Sequence, residues 1–228
     1  YAGAELCRKM GINLIIAMGG GSVIDCSKAI AAQANYYGDV WQDLYVEQKL
    51  NTLTSALPVA SILTLAATGS EMNGNSVISN MHTNQKLAIG HDLLRPVFSI
   101  LDPEYTFTVN QYHTAAGVVD ILSHLFEQYF TPDQEGYLQN RLMEAMMKTV
   151  IEYGPIAYNE LDDYEARANL MWTSSLALNG MVTYGKVSTD WATHGMEHEL
   201  SAFYDITHGV GLGILTPYWM KYVLSEEN

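Results

Sequence analysis

The chain has 228 residues, 48% of them hydrophobic, and sets 11 basic residues against 25 acidic ones. This is enough apolar material for one large globular domain or two small ones. A formal net charge of −14 repels nucleic-acid backbones and anionic membrane surfaces, so we expect neither as a partner. The longest apolar run is only strand-sized, and the two cysteines form no redox or metal pair by spacing. Both features favour a cytoplasmic protein.

A glycine-rich turn follows the first predicted strand. Residues 2–10 have a helical pattern, and the apolar run 14–18 predicts a buried parallel strand. The glycines at 19–21 come next, and an alanine-rich helix is predicted over 23–33. This order of elements binds anions, because glycines let the backbone approach a phosphate and the helix N-terminus favours its charge. The spacing matches neither the dinucleotide fingerprint nor the P-loop, so a plain tight turn stays an alternative.

Further strands are predicted across the first half of the chain. Residues 38–51 form a connection without periodicity, and 57–65 is a second buried strand that runs into small and hydroxyl residues over 66–71. Two more strand candidates are 76–79 and 98–101. Strands separated by helices or loops indicate an α/β layer.

The second half changes to a helical period. Apolar residues recur at helical spacing in four segments, 106–129, 135–153, 163–184 and 189–202. Met143, Met146, Met147 and Met171 lie in these segments and are interpreted as core filling. The change of period predicts two domains, an α/β domain over 1–106 and an all-helical domain over 107–228. The glycine turn indicates that the first of them is a nucleotide-binding domain.

Asp120 and His124 lie one turn apart on one face of an otherwise apolar helix. Burying a carboxylate without a partner is costly, so a metal or another charge is expected beside Asp120. An internal hydrogen bond between Asp120 and His124 is the simpler alternative.

Three histidines cluster between residues 191 and 211: His194, His198 and His208. Together with Asp120 and His124, two of them complete a set of one carboxylate and three imidazoles. Such a set suits zinc, iron(II), nickel or cobalt better than magnesium or calcium. Spacing alone cannot decide whether His198 or His208 joins His194.

The residues from His194 to His198 also match the H-x-x-E-H pattern of inverted zinc peptidases, with Glu197 as the residue that activates water. That chemistry gives no role to the glycine turn or to the pair Asp120 and His124. We therefore disfavour it.

Five segments carry a family resemblance: GGGSVIDCSKAIAA, LTLAATGSEMNGNSVIS, LDPEYTFTV, GVVDILSHLFEQY and WATHGMEHELSAFYDITHGVG. In this order, along essentially the whole chain, they resemble the iron-containing (group III) alcohol dehydrogenases, and most closely the butanol dehydrogenase and aldehyde reductase branch. The resemblance implies a Rossmann-like parallel-sheet domain followed by an all-helical metal-binding domain, the dehydroquinate synthase-like fold. Members of the family carry further elements at both ends, so the resemblance also implies an incomplete chain.

The resemblance assigns roles residue by residue. The implied metal ligands are Asp120, His124, His194 and His208. The implied catalytic residue is His198, near the nicotinamide ring without being a ligand. The implied cofactor contacts are Gly20, Gly21 and Ser22 for the pyrophosphate, Thr64 and Thr68 from the second strand's loop, and Lys86 for the ribose.

The implied reaction is a hydride transfer between NAD(P)(H) and a primary alcohol or aldehyde, such as butanol and butyraldehyde. The implied metal is one divalent ion, Fe²⁺ or Zn²⁺, with Ni²⁺ or Co²⁺ also compatible, and the implied assembly is a homodimer or higher homo-oligomer. Two alternatives stay open. One is another member of the superfamily, a polyol dehydrogenase or a dehydroquinate synthase-like lyase. The other is a non-catalytic remnant that binds metal or nucleotide.

Overall fold

The computed structural model describes residues 1–131, 136–186 and 188–224. The chain divides into two compact units. The first comprises Tyr1–Thr64 and Ser70–Leu101, and the second comprises Leu65–Gly69 and the residues from Asp102 onward. The expected change from an α/β layer to helices is confirmed, whereas the domain boundary at residue 106 stays a prediction.

The first unit is built around a parallel sheet. Its regular elements are α1 (Ala2–Met10), β1 (Ile15–Gly19), α2 (Gly21–Asn35), β2 (Val59–Leu63), β3 (Asn75–Asn80), β4 (Gln85–Gly90) and β5 (Phe98–Ile100). The parallel sheet has the order β1, β2, β5, with Ile15 opposite Val59 and Ala60 opposite Phe98. The strands predicted at 14–18, 57–65 and 98–101 therefore form the predicted parallel layer.

The strand predicted at 76–79 lies outside this sheet. It forms β3, which pairs with β4 in an antiparallel hairpin in which Val77 lies opposite Ala88. Strand β4 was not predicted from the sequence, because its apolar run of Leu87, Ala88 and Ile89 is short. The connection at 38–51, predicted without periodicity, contains a π-helical turn at Trp41–Val46 and a 3₁₀ turn at Leu50–Thr52.

Helix α2 carries a buried lysine. Apolar residues of α2 such as Ile24 and Ala31 are fully buried, and so is Lys28. The Lys28 ammonium donates hydrogen bonds to the backbone carbonyls of Ser70 (2.7 Å), Asn73 (3.0 Å) and Asn75 (2.7 Å). Lys28 thus connects α2 to the segment that leads into β3.

The second unit is helical. Its helices are α3 (Gln111–Tyr129), α4 (Tyr137–Asn159), α5 (Tyr164–Leu178), α6 (Ala192–Tyr204) and α7 (His208–Val223). The start predicted for one helix, at residue 135, lies outside the described residues. The helix predicted over 163–184 ends earlier, at Leu178, before the turn at Gly180. Helix α7 was not predicted as a separate element from the sequence.

The core of the helical unit forms where α3, α4 and α5 pack together. Ile121, Leu125, Met143 and Val150 are fully buried there. Met143 and Met146 are both members of this cluster, which confirms their interpretation as core residues. Among the residues that the structure describes, no helix combines the length and the apolar character needed to cross a membrane.

Candidate metal centre

Asp120 is the centre of the polar cluster in the helical unit. It lies on α3, one turn before His124, and both side chains are almost fully buried. Three imidazole nitrogens lie 3.7 Å from the same atom, Asp120 Oδ1: His124 Nδ1, His194 Nε2 and His208 Nε2. Three separate helices, α3, α6 and α7, supply these rings.

The 3.7 Å separations are too long for hydrogen bonds. Within the described part of the chain, Asp120 Oδ1, His124 Nδ1 and His194 Nε2 are buried and have no hydrogen-bond partner. Buried polar atoms are rarely left in this state, so each needs an explanation. Tetrahedral ligands at about 2.1 Å from one ion lie about 3.4 Å from each other. The cluster has the chemistry and spacing of ligands around one divalent ion.

Burial and mutual charge set the ionisation of these groups. Burial lowers the pKa of His124 to about 3, which leaves the ring neutral, the form that binds metals. Burial raises the pKa of Asp120, but the interactions with His124, His194 and His208 lower it by more. The pKa of Asp120 is therefore held below its usual value. Burial also opposes protonation of His194, but Asp120 and Glu127 raise the pKa of that ring to about 9.

Two glutamates that the sequence analysis did not assign complete the cluster. Glu127 and Glu197 are fully buried. Glu127 accepts a hydrogen bond from His194 Nδ1, and Glu197 accepts one from His208 Nδ1. The sequence does hold a signal for Glu127, because it follows Asp120 by two turns on an apolar helix. The contact between Glu197 and His208 also gives that glutamate a role other than activating water.

The chain turns between α6 and α7 at Asp205, three residues before His208. Helix α6 ends at Tyr204, and its C-cap residue Asp205 has a φ of 51°, a conformation that aspartate tolerates better than most residues. Helix α7 then begins at His208 itself.

His198 is half-buried, and its ring centroid lies 5.7 Å from that of His208. Potential ligand atoms of Glu197, His198 and His208 lie within 4.8 Å of one another, as do those of Asp120, His124 and His194. The shared distance to Asp120 Oδ1 supports His208 as the partner of His194.

Close packing at Gly209 holds His208 in place. A β-carbon at Gly209 would lie 1.9 Å from the carbonyl oxygen of Ala116 on α3, whereas one at Gly195 on α6 would meet nothing within 4 Å. We expect Gly209→Ala to destabilise the protein by about 3 kcal/mol or more and to displace His208, because backbone must move to relieve the contact. Gly195→Ala should stabilise α6 by roughly 0.5–1 kcal/mol. Thermal unfolding of both variants checks this, and equal melting temperatures would contradict it.

Three of the residues assigned to the cofactor lie at the start of α2. Gly20 is the N-cap residue of α2, Gly21 is the first residue of that helix, and the side chain of Ser22 is exposed. The first turn of α2 contains no acidic residue, and no side chain caps it. Its N–H groups therefore suit a phosphate.

The other three residues assigned to the cofactor are Thr64, Thr68 and Lys86. Thr64 directly follows β2 in the first unit, and its N–H donates to the carbonyl of Gly19 (3.2 Å). Thr68 lies in the segment Leu65–Gly69, which groups with the helical unit. Lys86 lies on β4 of the hairpin rather than in a loop. The cofactor roles of these residues stay predictions.

The chain matches two family models. Residues 1–103 match the model described as iron-containing alcohol dehydrogenase, and residues 114–228 match that described as the C-terminal part of the Fe-containing alcohol dehydrogenase family. NADH-dependent butanol dehydrogenase A of Clostridium acetobutylicum is 57% identical over 225 residues, which are 99% of this chain and 57% of that protein. NADPH-dependent aldehyde reductase YqhD of Escherichia coli is 42% identical over 93% of this chain and 55% of its own length.

Solved structures agree with these matches. The crystal structure of NADH-dependent butanol dehydrogenase A from Thermotoga maritima superposes with a TM-score of 0.91 at 41% identity, covering 97% of this chain and 55% of that one. The structure of E. coli YqhD gives a TM-score of 0.92 at 40% identity, with 96% and 56% covered. The chain thus spans little more than half the length of these relatives. By sequence and by fold, it belongs to the iron-containing alcohol dehydrogenase family.

Proposed function

We propose that the protein is a metal-dependent oxidoreductase that transfers a hydride between NAD(P)(H) and a primary alcohol or aldehyde. The observation that carries this proposal is the convergence of three imidazole nitrogens on Asp120 Oδ1. Hydride chemistry belongs to the nicotinamide, so the protein needs no nucleophile of its own. It must bind the cofactor, orient the substrate oxygen and manage one proton.

Asp120, His124, His194 and His208 would hold one divalent ion, Fe²⁺ or Zn²⁺, with Ni²⁺ or Co²⁺ compatible with the same ligands. A bound ion would supply Lewis-acid chemistry, which polarises an aldehyde oxygen or lowers the pKa of an alcohol. Asp120 contributes the negative charge and His124 a neutral ring. We assign the proton transfer to His198, because it is half-buried beside His208 and imidazoles exchange protons near neutral pH.

Gly20, Gly21 and Ser22 would bind the cofactor pyrophosphate through the backbone at the start of α2. Thr64, Thr68 and Lys86 are proposed as further cofactor contacts. Two relatives support both the cofactor and the substrate class, since one is an NADH-dependent butanol dehydrogenase and the other an NADPH-dependent aldehyde reductase. A homo-oligomeric, cytoplasmic enzyme is our proposal as well, and the low cysteine content supports the compartment.

The direct test is NADH and NADPH oxidation by the purified protein with butyraldehyde. We expect turnover that disappears after chelation and returns on reloading with Fe²⁺ or Zn²⁺. Activity that survives verified removal of all metal would contradict the proposal. Turnover of polyols alone would favour a polyol dehydrogenase, and nicotinamide binding without turnover of any aldehyde would favour a non-catalytic remnant.

A further inference from the structure

We infer that Glu127 and Glu197 are positioning residues that aim His194 and His208 at the metal position. This inference rests on the proposed function. In both rings Nδ1 donates to a buried glutamate, while Nε2 of the same ring faces Asp120 Oδ1 at 3.7 Å. A carboxylate that accepts the Nδ1 proton leaves the lone pair on Nε2, where a metal can bind it.

The two glutamates link the three helices of the site in sequence. Glu127 belongs to α3 and holds the histidine of α6, and Glu197 belongs to α6 and holds the histidine of α7. Each ligand ring from α6 or α7 is therefore oriented by the preceding helix of the site. A shift of one helix would turn a ring away from Asp120.

Glu127 also caps α6. The N-cap residue Trp191 makes no side-chain capping bond. Glu127 Oε1 instead accepts from the backbone N–H groups of Thr193 (2.5 Å) and His194 (3.3 Å), while Oε2 accepts from His194 Nδ1. A helix N-terminus needs such acceptors, and a negative charge suits its dipole. The same carboxylate therefore fixes both the start of the helix and the ring that the helix carries.

Glu197 is held from two sides. Its carboxylate accepts a hydrogen bond from the Ser201 hydroxyl one turn along α6. On the other side, a β-carbon at Gly211 would lie 2.8 Å from Glu197 Cγ, so α7 approaches closely only because residue 211 is glycine. This packing leaves the carboxylate little freedom to turn away from His208.

Glutamine variants separate positioning from packing. An amide keeps the shape and one acceptor oxygen but replaces the other oxygen with an NH₂ donor. In Glu127→Gln, the amide oxygen can keep accepting from the backbone N–H groups of Thr193 and His194. The amide NH₂ group then faces His194 Nδ1 and donates to it. The proton of the His194 ring would therefore move to Nε2. In Glu197→Gln, the donor can turn to Ser201, whose hydroxyl can accept it. Glu127→Gln should therefore be the more damaging of the two.

The test is Co²⁺ affinity, measured with a competing chelator, together with the visible absorption of the bound Co²⁺. We expect about 100-fold weaker binding for Glu127→Gln, about tenfold for Glu197→Gln, and altered absorption bands for both. Glu127→Asp, which keeps a carboxylate, should recover part of the affinity. Glu152→Gln, at an exposed position on α4, is the matched control and should bind like the unsubstituted protein.

Metal-free melting temperatures separate a positioning role from a structural one, and the glutamine variants should melt near the control. If Asp120→Asn abolishes Co²⁺ binding while both glutamine variants bind within twofold of the unsubstituted protein, the positioning role is overturned and the proposed function stands. If Asp120→Asn also binds Co²⁺ normally, the metal site itself fails. If Glu127→Gln does not fold, the Co²⁺ affinities of Glu197→Gln and Glu127→Asp are compared with that of the control instead.

Discussion

Asp120→Asn is expected to remove tight metal binding from the protein. Asp120 Oδ1 lies 3.7 Å from a nitrogen of each of His124, His194 and His208. An asparagine keeps the shape of the side chain but removes its charge. Losing the charge of a buried, charge-paired site costs about 3 kcal/mol or more, which corresponds to about a hundredfold or more in affinity.

Metal content after dialysis and Zn²⁺ titration of the metal-free protein both measure this effect. Asp162→Asn, at an exposed position in the same unit, is the matched control and should keep full metal content. Equal Zn²⁺ affinity in Asp120→Asn and the control would show that Asp120 is not a ligand.

Lys28→Met should produce the largest loss of stability in the α/β unit. Burial lowers the pKa of Lys28 to about 8, so the side chain is still mostly an ammonium at neutral pH. Methionine fills a similar volume but removes the donor shared by the carbonyls of Ser70, Asn73 and Asn75. It also removes a cation beside Asp25, whose Oδ1 lies 3.9 Å from the Lys28 nitrogen. Breaking a buried charged network of this kind costs about 3–5 kcal/mol.

Urea unfolding followed by circular dichroism measures this loss. Lys9→Met, on the exposed surface of α1, is the control and should unfold at the same urea concentration as the unsubstituted protein. A Lys28→Met midpoint equal to that of the control would mean that the hydrogen bonds of Lys28 add nothing to folding. Because Lys28 is engaged inside the unit, the phosphate site proposed at the start of α2 does not depend on it.

Local relations in the sequence predicted much of this molecule. The pairing of Asp120 with His124 follows from one turn of helix, and the parallel strands follow from short apolar runs bounded by turn residues. The choice between His198 and His208 could not be made in the same way. The position of His208 depends on how the chain turns between α6 and α7, where Asp205 adopts a left-handed conformation.

Relations between distant segments were the ones that the sequence did not predict. Glu127 and Glu197 contact their histidine partners only when α3, α6 and α7 pack together. A hydrogen bond between two helices does not produce a regular spacing in the sequence, so it could not be predicted. Strand β4 was not predicted because its apolar run is short, and its pairing with β3 is evident only in the folded chain. The burial of Lys28 could not be predicted either, because its hydrogen-bond partners lie more than forty positions away in the sequence.

X-ray absorption spectroscopy of the zinc-loaded protein tests the central claim most directly, namely that Asp120, His124, His194 and His208 hold one ion. The technique counts imidazole rings around the metal and distinguishes oxygen or nitrogen from sulfur. We predict a shell of three imidazoles with carboxylate oxygen, reduced to two imidazoles in His208→Ala. An oxygen-only shell, a sulfur ligand, or an unchanged imidazole count in His208→Ala would contradict the account.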